Sequence, residues 1–204
     1  MLVVIDYGMG NLKSVENALL HLNIPFIISG EINDLRNSTG LLLPGVGSFM
    51  DGMKNLKEKG LDVVIKEEVK NGKPLLGICL GMQMLFDRSF EVKETEGLGL
   101  IGGEIELLNP KVKVKIPHIG WNRLDKVNND YLIESLGNNS FVYYVHSFAA
   151  TNVEKENLIC TSEYGGINIP GLVKKGNVYG AQFHPEKSGD VGLQLLKKFG
   201  ELIL

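Results

Sequence analysis

A cysteine between two glycines, at the end of a short apolar run, constrains the fold of this chain more than any other stretch. The run Leu75–Ile78 has the length and composition of a strand that is covered on both faces. Gly77 and Gly81 flank Cys79 at a distance of two residues on either side. Apolar residues then continue at helical spacing at Met82, Leu85 and Phe86. The stretch predicts a buried strand, a sharp turn at Cys79 and a helix through the last of these apolar residues.

This turn has the logic of a nucleophile elbow, with cysteine in place of serine. The backbone N–H groups at the start of the following helix favour the thiolate, which is the form that attacks carbonyl carbons. The alternative is a buried structural cysteine, which is common for a free cysteine on an apolar strand. The two glycines around Cys79 favour the nucleophile over the structural cysteine.

A candidate base lies about a hundred residues later, in the segment His184-Pro-Glu186. The residue before a proline adopts extended geometry, and residues two apart in an extended chain project to the same side. One segment can therefore present an imidazole beside a carboxylate that orients it. We expect Cys79 to attack, His184 to move the proton and Glu186 to hold the imidazole. Considered without Cys79, the same segment is equally typical of a surface turn.

The alternation of apolar elements predicts an α/β fold: a single-domain three-layer sandwich, residues 1–204, with a mixed sheet whose central strands are parallel. In the first half we expect strands at 2–5, 25–28, 40–47 and 75–78, and helices at 12–22 and within 51–71. In the second half we expect strands at 105–108, 111–116, 141–148, 158–162, 171–174 and 178–183, a helical turn at 131–135 and a last helix at 189–203. Lysines alternate strictly with apolar residues at 111–116, which is typical of a strand with one wet face.

Composition excludes several classes of function. The net charge of −3 gives no electrostatic case for binding nucleic acid. No apolar run approaches the roughly 20 residues that span a bilayer, and the N-terminus reads as a strand rather than an export signal. Cys79 and Cys160 lie far apart in unlike contexts, so we expect free thiols and a cytoplasmic protein with no membrane association.

No cofactor is expected. The segment Gly8-x-Gly10 lacks the third glycine of a dinucleotide fingerprint, because Lys13 stands in its place. The chain has no cysteine or histidine cluster with the spacing of a metal site. The remaining histidines, His21, His118 and His146, carry no ligand-spaced neighbours.

The segments Gly77–Gln83 and His184–Glu186 together resemble the class I (triad) glutamine amidotransferase family, and the resemblance extends over the whole chain. Within the family, the chain is most similar to the branch that supplies ammonia to a cyclase subunit in histidine biosynthesis. The segments that point to this branch are residues 6–11, 44–47, 117–122, 144–147 and 184–188.

The resemblance implies that Cys79 forms a γ-glutamyl thioester, while His184 protonates the departing ammonia and then activates water. It implies oxyanion donors from the backbone of Leu80 and, after rotation of a peptide unit, from Gly45–Val46. The residues implied to hold L-glutamine are Gly45, Gly47, Gln83, Glu91, Ser147 and Phe148. The residues implied to face the cyclase subunit in a heterodimer are Asn11, Trp121, Asn122, Tyr143 and Lys187.

Two alternatives stay open at this point. One is a glutaminase subunit that feeds another ammonia acceptor, such as pyridoxal phosphate synthase. The other is a cysteine hydrolase or peptidase of similar fold. Identifying the subunit that accepts the ammonia would test the first alternative. Comparing the turnover of glutamine with the turnover of peptides would test the second.

Overall fold

The structure is a computed structural model that describes residues 1–203. Its helices are α1 (Leu12–His21), α2 (Ile32–Asn37), α3 (Phe49–Glu58), α4 (Leu61–Lys70), α5 (Leu80–Gln83) and α6 (Gly189–Leu202). Its first strands are β1 (Leu2–Ile5), β2 (Phe26–Ser29), β3 (Gly40–Leu43), β4 (Leu75–Ile78), β5 (Arg88–Ser89), β6 (Thr95–Glu96) and β7 (Glu104–Leu107). The later strands are β8 (His118–Arg123), β9 (Asp125–Lys126), β10 (Phe141–His146), β11 (Phe148–Thr151), β12 (Leu158–Tyr164), β13 (Ile167–Lys175) and β14 (Val178–Ala181).

Eight strands form the main sheet, in the order β2-β1-β3-β4-β14-β13-β12-β9. The pairs from β2 to β14 are parallel, and those from β14 to β9 are antiparallel. The expected mixed sheet with parallel central strands is therefore confirmed.

Helices cover both faces of this sheet because the strands at its centre are apolar on both sides. In β1, Leu2 and Val4 pack with residues of α1 and α6, whereas Val3 and Ile5 pack with residues of α3 and α4. Successive strand residues point to opposite faces, so one apolar run contributes to two cores. The three-layer arrangement is confirmed.

The topology gathers three chain segments at one edge of the sheet. β14 lies beside β4 in parallel, with Ala181 opposite Ile78, and β3 lies on the other side of β4. Cys79 directly follows β4, and its N–H donates to the Ala181 carbonyl at 2.7 Å. The carboxyl ends of neighbouring parallel strands are where open α/β sheets place their ligand sites.

The helix after Cys79 is shorter than its spacing predicts: α5 ends at Gln83 rather than Phe86. The carbonyls of Met84 and Phe86 instead accept from the backbone N–H groups of Leu98 and Gly99. These long-range hydrogen bonds replace the helical ones, while Leu85 and Phe86 stay fully buried. The helical spacing of the apolar residues in this segment therefore reflects the burial of their side chains and not a continuous helix.

The expected strand at 111–116 is wrong. The segment has no strand partner among the described residues, and Val112 and Ile116 are exposed at 60% and 41%. It is held by backbone bonds from Lys111 and Val112 to the Gly165 carbonyl, and by the Tyr164 hydroxyl, which donates to Lys115. The alternation therefore does not separate a buried face from a wet one.

Two further departures shape the site. Residues 118–123, where the sequence indicates a strand-like segment around His118 but no bounds, form β8, which pairs with β10 in antiparallel register. The expected strand at 141–148 is two strands, because the chain leaves β10 at Ser147 and joins a different sheet as β11. Ser147 is thereby placed at a break between two sheets.

Candidate active site

Cys79 lies in a strained turn, with φ 54° and ψ −112°. A non-glycine residue at positive φ costs about 1–3 kcal/mol, which the surrounding packing must hold in place. The flanking glycines explain why the turn is possible. A Cβ on Gly81 would stand 1.8 Å from the Leu43 carbonyl oxygen, and one on Gly77 would stand 2.7 Å from the Gly81 carbonyl oxygen. At the elbow predicted from Gly-x-Cys-x-Gly, the backbone of the turn therefore packs directly against the backbone at the end of β3.

His184 and Glu186 form a buried pair, with Nδ1 of His184 2.7 Å from Oε1 of Glu186. Both side chains are only 2% exposed. A carboxylate accepts and does not donate, so the imidazole proton lies on Nδ1. Nε2 has no hydrogen-bond partner among residues 1–203, and both His184 and Cys79 line one cavity. The free nitrogen is available to a proton that moves to or from that cavity.

The charge state of His184 follows from its neighbours. Burial by itself lowers the pKa of the imidazole, whereas contacts with Cys79 and Glu186 raise it, and the net result is a pKa of about 9. The arrangement favours an imidazolium form of His184 beside the sulfur of Cys79.

Ser188 holds the His184 segment against β10, and the sequence reasoning assigned it no role. Its hydroxyl donates to the His184 carbonyl at 2.6 Å and accepts from the Tyr143 N–H at 2.9 Å. The His184 N–H donates back to the Tyr143 carbonyl at 3.0 Å. Since Ser188 is 1% exposed, these bonds are shielded from water.

The predicted oxyanion region packs directly on the elbow. Leu80 is the first residue of α5, so its N–H has no partner within the helix. A Cβ on Gly45 would stand 2.9 Å from the Gly81 nitrogen, which measures how closely this loop approaches the turn. Val46 and Gly47 line the same cavity as Cys79, and Gly47 has φ +103°.

Tyr7 lies behind this loop as a fully buried phenol whose hydroxyl has no partner among the described residues. A Cβ on Gly45 would come within 2.5 Å of that hydroxyl. Burial and the nearby charge of Cys79 raise the pKa of Tyr7, so it is neutral. The sequence placed Tyr7 in a family segment but gave no sign of this contact.

A cavity of about 370 Å³ opens above Cys79. Its size and its mixed polar and apolar lining suit a small amino-acid substrate. The predicted glutamine contacts that line it are Gly47, Gln83, Glu91, Ser147 and Phe148. Gly45 is buried beneath the wall and does not line it.

Gln83 is fixed by bonds within the protein. Its amide nitrogen donates to the Phe148 carbonyl at 2.9 Å and to Oε1 of Gln182 at 3.0 Å. Gln182, which the sequence reasoning missed, then turns its own amide nitrogen toward Cys79 Sγ at 3.9 Å. Both N–H donors of Gln83 are occupied, so only its oxygen remains to accept from a ligand.

Glu91 also makes a bond within the protein. Its Oε2 atom accepts from the Phe49 N–H at 2.6 Å, at the start of α3. The carboxylate therefore stands in a fixed position in the cavity wall. A carboxylate held there can attract a substrate ammonium group.

Cys160 provides an internal contrast to Cys79. It is fully buried in the core, and burial raises the pKa of its thiol to about 12. Both cysteines are unpaired. Only Cys79 combines a cavity position with an imidazole neighbour.

The residues expected to face a partner do not all share one surface. Trp121 and Tyr143 are opposite each other on β8 and β10, with ring centroids 6.1 Å apart. Asn122 points to the other face of β8, where its amide donates to the Glu163 carbonyl at 2.8 Å. Lys187 is exposed beside the His184 turn, and Asn11 caps α1 by accepting from the Ser14 N–H.

Residues 1–203 contain neither a metal-binding cluster nor a helix able to span a membrane. No group of three or more histidine, cysteine, aspartate or glutamate side chains there is arranged to hold a metal ion. Over the same residues, none of the helices has the length and apolar character needed to cross a bilayer.

The chain is similar to known proteins over nearly its whole length. The family model for glutamine amidotransferase class-I matches residues 3–201. The imidazole glycerol phosphate synthase subunit HisH of Bacillus cereus is 51% identical over 199 residues, covering 98% of this chain and 93% of the relative. The HisH protein of Oceanobacillus iheyensis is 46% identical over 203 residues and covers all of both chains.

Solved structures show the same fold at lower identity. A glutamine amidotransferase crystal structure matches with a TM-score of 0.77 at 22% identity, covering 99% of this chain and 98% of the other. A chain in the structure of PurLQS from Thermotoga maritima matches with a TM-score of 0.76 at 21% identity, covering 97% and 96%. With the family model spanning nearly its whole length, the chain belongs to the class-I glutamine amidotransferase family.

Proposed function

We propose that this chain is the glutaminase subunit of an imidazole glycerol phosphate synthase. It hydrolyses L-glutamine to glutamate and ammonia and supplies the ammonia to a cyclase subunit. The observation that carries the proposal is the cavity shared by Cys79 and His184, in a chain about half identical to HisH proteins. We further infer that residues 1–204 act as one amidotransferase domain.

The first half of the reaction makes a thioester. The Cys79 thiolate attacks the γ-carboxamide carbon of glutamine, and the carbonyl oxygen becomes an oxyanion. The C–N bond then breaks, and the nitrogen leaves as ammonia with the proton held on Nε2 of His184. Glu186 stabilises the imidazolium from the other side of the ring without taking its proton.

The second half releases glutamate. A water molecule gives a proton to Nε2 of His184 and attacks the thioester carbonyl carbon. The C–S bond breaks, glutamate leaves and the thiolate–imidazolium pair is restored. The raised pKa of His184, about 9, favours the imidazolium near neutral pH.

The partner has a candidate docking surface. The outward side of the two-stranded β8–β10 sheet, which we call the hairpin face, carries five apolar or aromatic side chains: Ile119, Trp121, Phe141, Tyr143 and Val145. Trp121 is 57% exposed, although tryptophan in a monomer is usually well covered. Val145 also lines the cavity, so a partner docked on this face would lie beside the site where ammonia forms.

The ammonia acceptor is taken from the relatives, which are subunits of imidazole glycerol phosphate synthase. The cyclase subunit would use the ammonia to make imidazole glycerol phosphate and aminoimidazole carboxamide ribonucleotide. A reducing compartment, the cytoplasm, suits a reaction that needs Cys79 as a free thiol. Cysteine peptidase activity has no support from these relatives.

The oxyanion region suggests that the partner controls the rate. We infer that rotation of the Gly45–Val46 peptide unit supplies a second N–H donor, a rotation that Gly45, which has no side chain, accommodates in its ψ angle. A missing oxyanion donor costs about 10²–10³ in rate. Contacts made by the partner and its nucleotide would supply the bias toward the rotated state.

The experiment measures glutamate release under three conditions: the chain alone, with the cyclase subunit, and with the cyclase subunit and its nucleotide substrate. We expect the last rate to exceed the first by at least about 10²-fold. The synthase subunit of pyridoxal phosphate synthase serves as the control partner and should give no stimulation. Equal rates under all three conditions, or stimulation by the control partner, would contradict the assignment.

A further inference from the structure

Two buried histidines that the triad does not use lie side by side next to the active site. His118 on β8 and His146 on β10 are opposite each other in the strand register and are 3% and 6% exposed. Nδ1 of His118 is 3.0 Å from Nε2 of His146. His146 also lines the cavity above Cys79.

The carbonyl of Phe148 fixes the tautomer of both rings. It lies 2.9 Å from Nδ1 of His146 and can only accept, so that nitrogen carries the proton. Nε2 of His146 is then an acceptor, and Nδ1 of His118 must donate to it. Nε2 of His118 is left to accept from the Asn122 amide at 3.3 Å. Each of these three hydrogen bonds therefore has a defined donor and acceptor.

Packing holds the two rings in this state. His118 stacks between Tyr144 and Tyr164, with ring centroids at 4.7 Å and 4.0 Å. Burial lowers the pKa of each histidine to about 4, and for His146 the charge of nearby His184 acts in the same direction. Both rings are neutral near pH 7.

The same carbonyl fixes the other side of the site. Phe148 also accepts from the Gln83 amide nitrogen, and Gln83 in turn orients Gln182, whose nitrogen faces Cys79 Sγ. If the Phe148 carbonyl rotated, the Gln83 amide would lose the bond that assigns its nitrogen and oxygen. The oxygen that Gln83 offers to the cavity would then no longer be fixed.

We propose that His118 and His146 are positioning residues for glutamine binding: their tautomer-locked pair holds the Phe148 carbonyl, which fixes Gln83 in the orientation that accepts from glutamine. This proposal rests on the glutaminase function proposed above. The effect of the two histidines reaches the substrate through the Phe148 carbonyl and Gln83, not through contact with the reacting atoms. The pair therefore acts on binding of glutamine more than on the chemical step.

The kinetic test compares two substitutions at one position. Asparagine places a donor near the position of imidazole Nδ1, so His146→Asn keeps the bond to Phe148, whereas His146→Leu removes it. Loss of the hydrogen bond that holds the Phe148 carbonyl predicts that His146→Leu raises the KM for glutamine roughly tenfold, with kcat within about threefold of wild type. His146→Asn should restore most of the KM. The exposed His21→Leu is the matched control and should change neither constant.

A measurement on the unmodified protein tests the tautomers directly. Long-range ¹H–¹⁵N spectra of histidine side chains at pH 7 should show His118 and His146 neutral, each protonated at Nδ1. An Nε2-protonated tautomer or an imidazolium at either position would overturn the proposal, even if His146→Leu failed to fold. Equal losses of activity in His146→Leu and His146→Asn, seen as a lower kcat and not as a higher KM, would also overturn it. Absence of glutamine turnover in wild type with its partner would instead refute the proposed function and leave the tautomer result standing.

Discussion

At the scale of single residues, two cysteines and three histidines differ in their surroundings. Cys79 and His184 share a cavity, whereas Cys160 is enclosed in the core with a thiol pKa raised to about 12 by burial. Contacts with Cys79 and Glu186 raise the pKa of His184. Burial instead lowers the pKa values of His118 and His146. The residue type alone does not assign a role, because the neighbours decide the charge state.

Triad substitutions should differ in size. His184→Asn removes the proton carrier and should lower glutamine hydrolysis by about 10⁶, whereas Glu186→Gln removes only the orienting charge and should cost about 10⁴. Steady-state glutaminase assays in the partner complex measure both. If Glu186→Gln were the more damaging change, the roles assigned to the two residues would be reversed.

The pKa of His184 makes a prediction about stability. In the folded chain the pKa is raised to about 9 from an ordinary value of 6.5, so the folded state binds more protons between these limits. The contribution of His184 to stability is therefore full below pH 6.5 and is lost as the pH rises through 9. Urea unfolding of wild type and His184→Asn at pH 6 and pH 9.5 should show a stability difference that shrinks at the higher pH. A difference that grows with pH would contradict the sign of the shift.

At the scale of elements, short strands and close backbone crossings hold the site. The elbow joins the four-residue strand β4 to the four-residue helix α5, and Gly81 touches the end of β3. Such a contact has no room for a methyl group, so the two glycines around Cys79 are structural requirements of the turn. The strain at Cys79 is compatible with folding because three neighbouring strands surround it.

Gly81→Ala should therefore destabilise the protein strongly. The new methyl would stand 1.8 Å from the Leu43 carbonyl oxygen, which is backbone and cannot turn away. Overpacking of this kind costs about 1–3 kcal/mol or more. Gly102→Ala is the matched control, because a Cβ there meets no atom of the described residues within 4 Å. Equal urea midpoints for the two variants would show that the crossing at Gly81 is looser than described.

The sequence predicts those features that depend on local patterns and misses those that depend on distant partners. Strand β4, the elbow and helices α1 and α6 follow from apolar spacing and glycine positions within a few residues. Gln182 meets Gln83 across 99 positions, and His118 meets His146 across 28. The lysine alternation at 111–116 resembles a strand, yet its backbone bonds go to the Gly165 turn. Pairing between distant segments is what the local pattern does not contain.

At the scale of the whole molecule, the active-site cavity and the hairpin face are adjacent. Val145 belongs to both, and Tyr143 bonds through its backbone to His184 and Ser188. A partner on the hairpin face would thus contact the strand that holds His184 in place. This adjacency gives a physical route from partner docking to glutamine hydrolysis.

Trp121→Ala should weaken the complex with the cyclase subunit. A large exposed aromatic at an interface centre commonly contributes at least 2 kcal/mol, so we expect a loss of about 30-fold or more in affinity. Val63→Ala on α4, in the layer on the other side of the main sheet from α1 and α6, is the matched control, since Val63 is similarly exposed at 54%. Calorimetric titration gives both dissociation constants, and an unchanged constant for Trp121→Ala would exclude the hairpin face.

Glutamate release by the complex with partner and nucleotide, compared between Cys79→Ala and Cys160→Ala, tests the assignment of Cys79 as the nucleophile. Both cysteines are buried and free, so the pair controls for loss of a thiol in general. We predict that Cys79→Ala lowers the rate by about 10⁶ while the chain still folds and binds the cyclase subunit, and that Cys160→Ala leaves the rate within a few-fold of wild type. Near wild-type glutamate release by Cys79→Ala would contradict the proposed reaction at its first step.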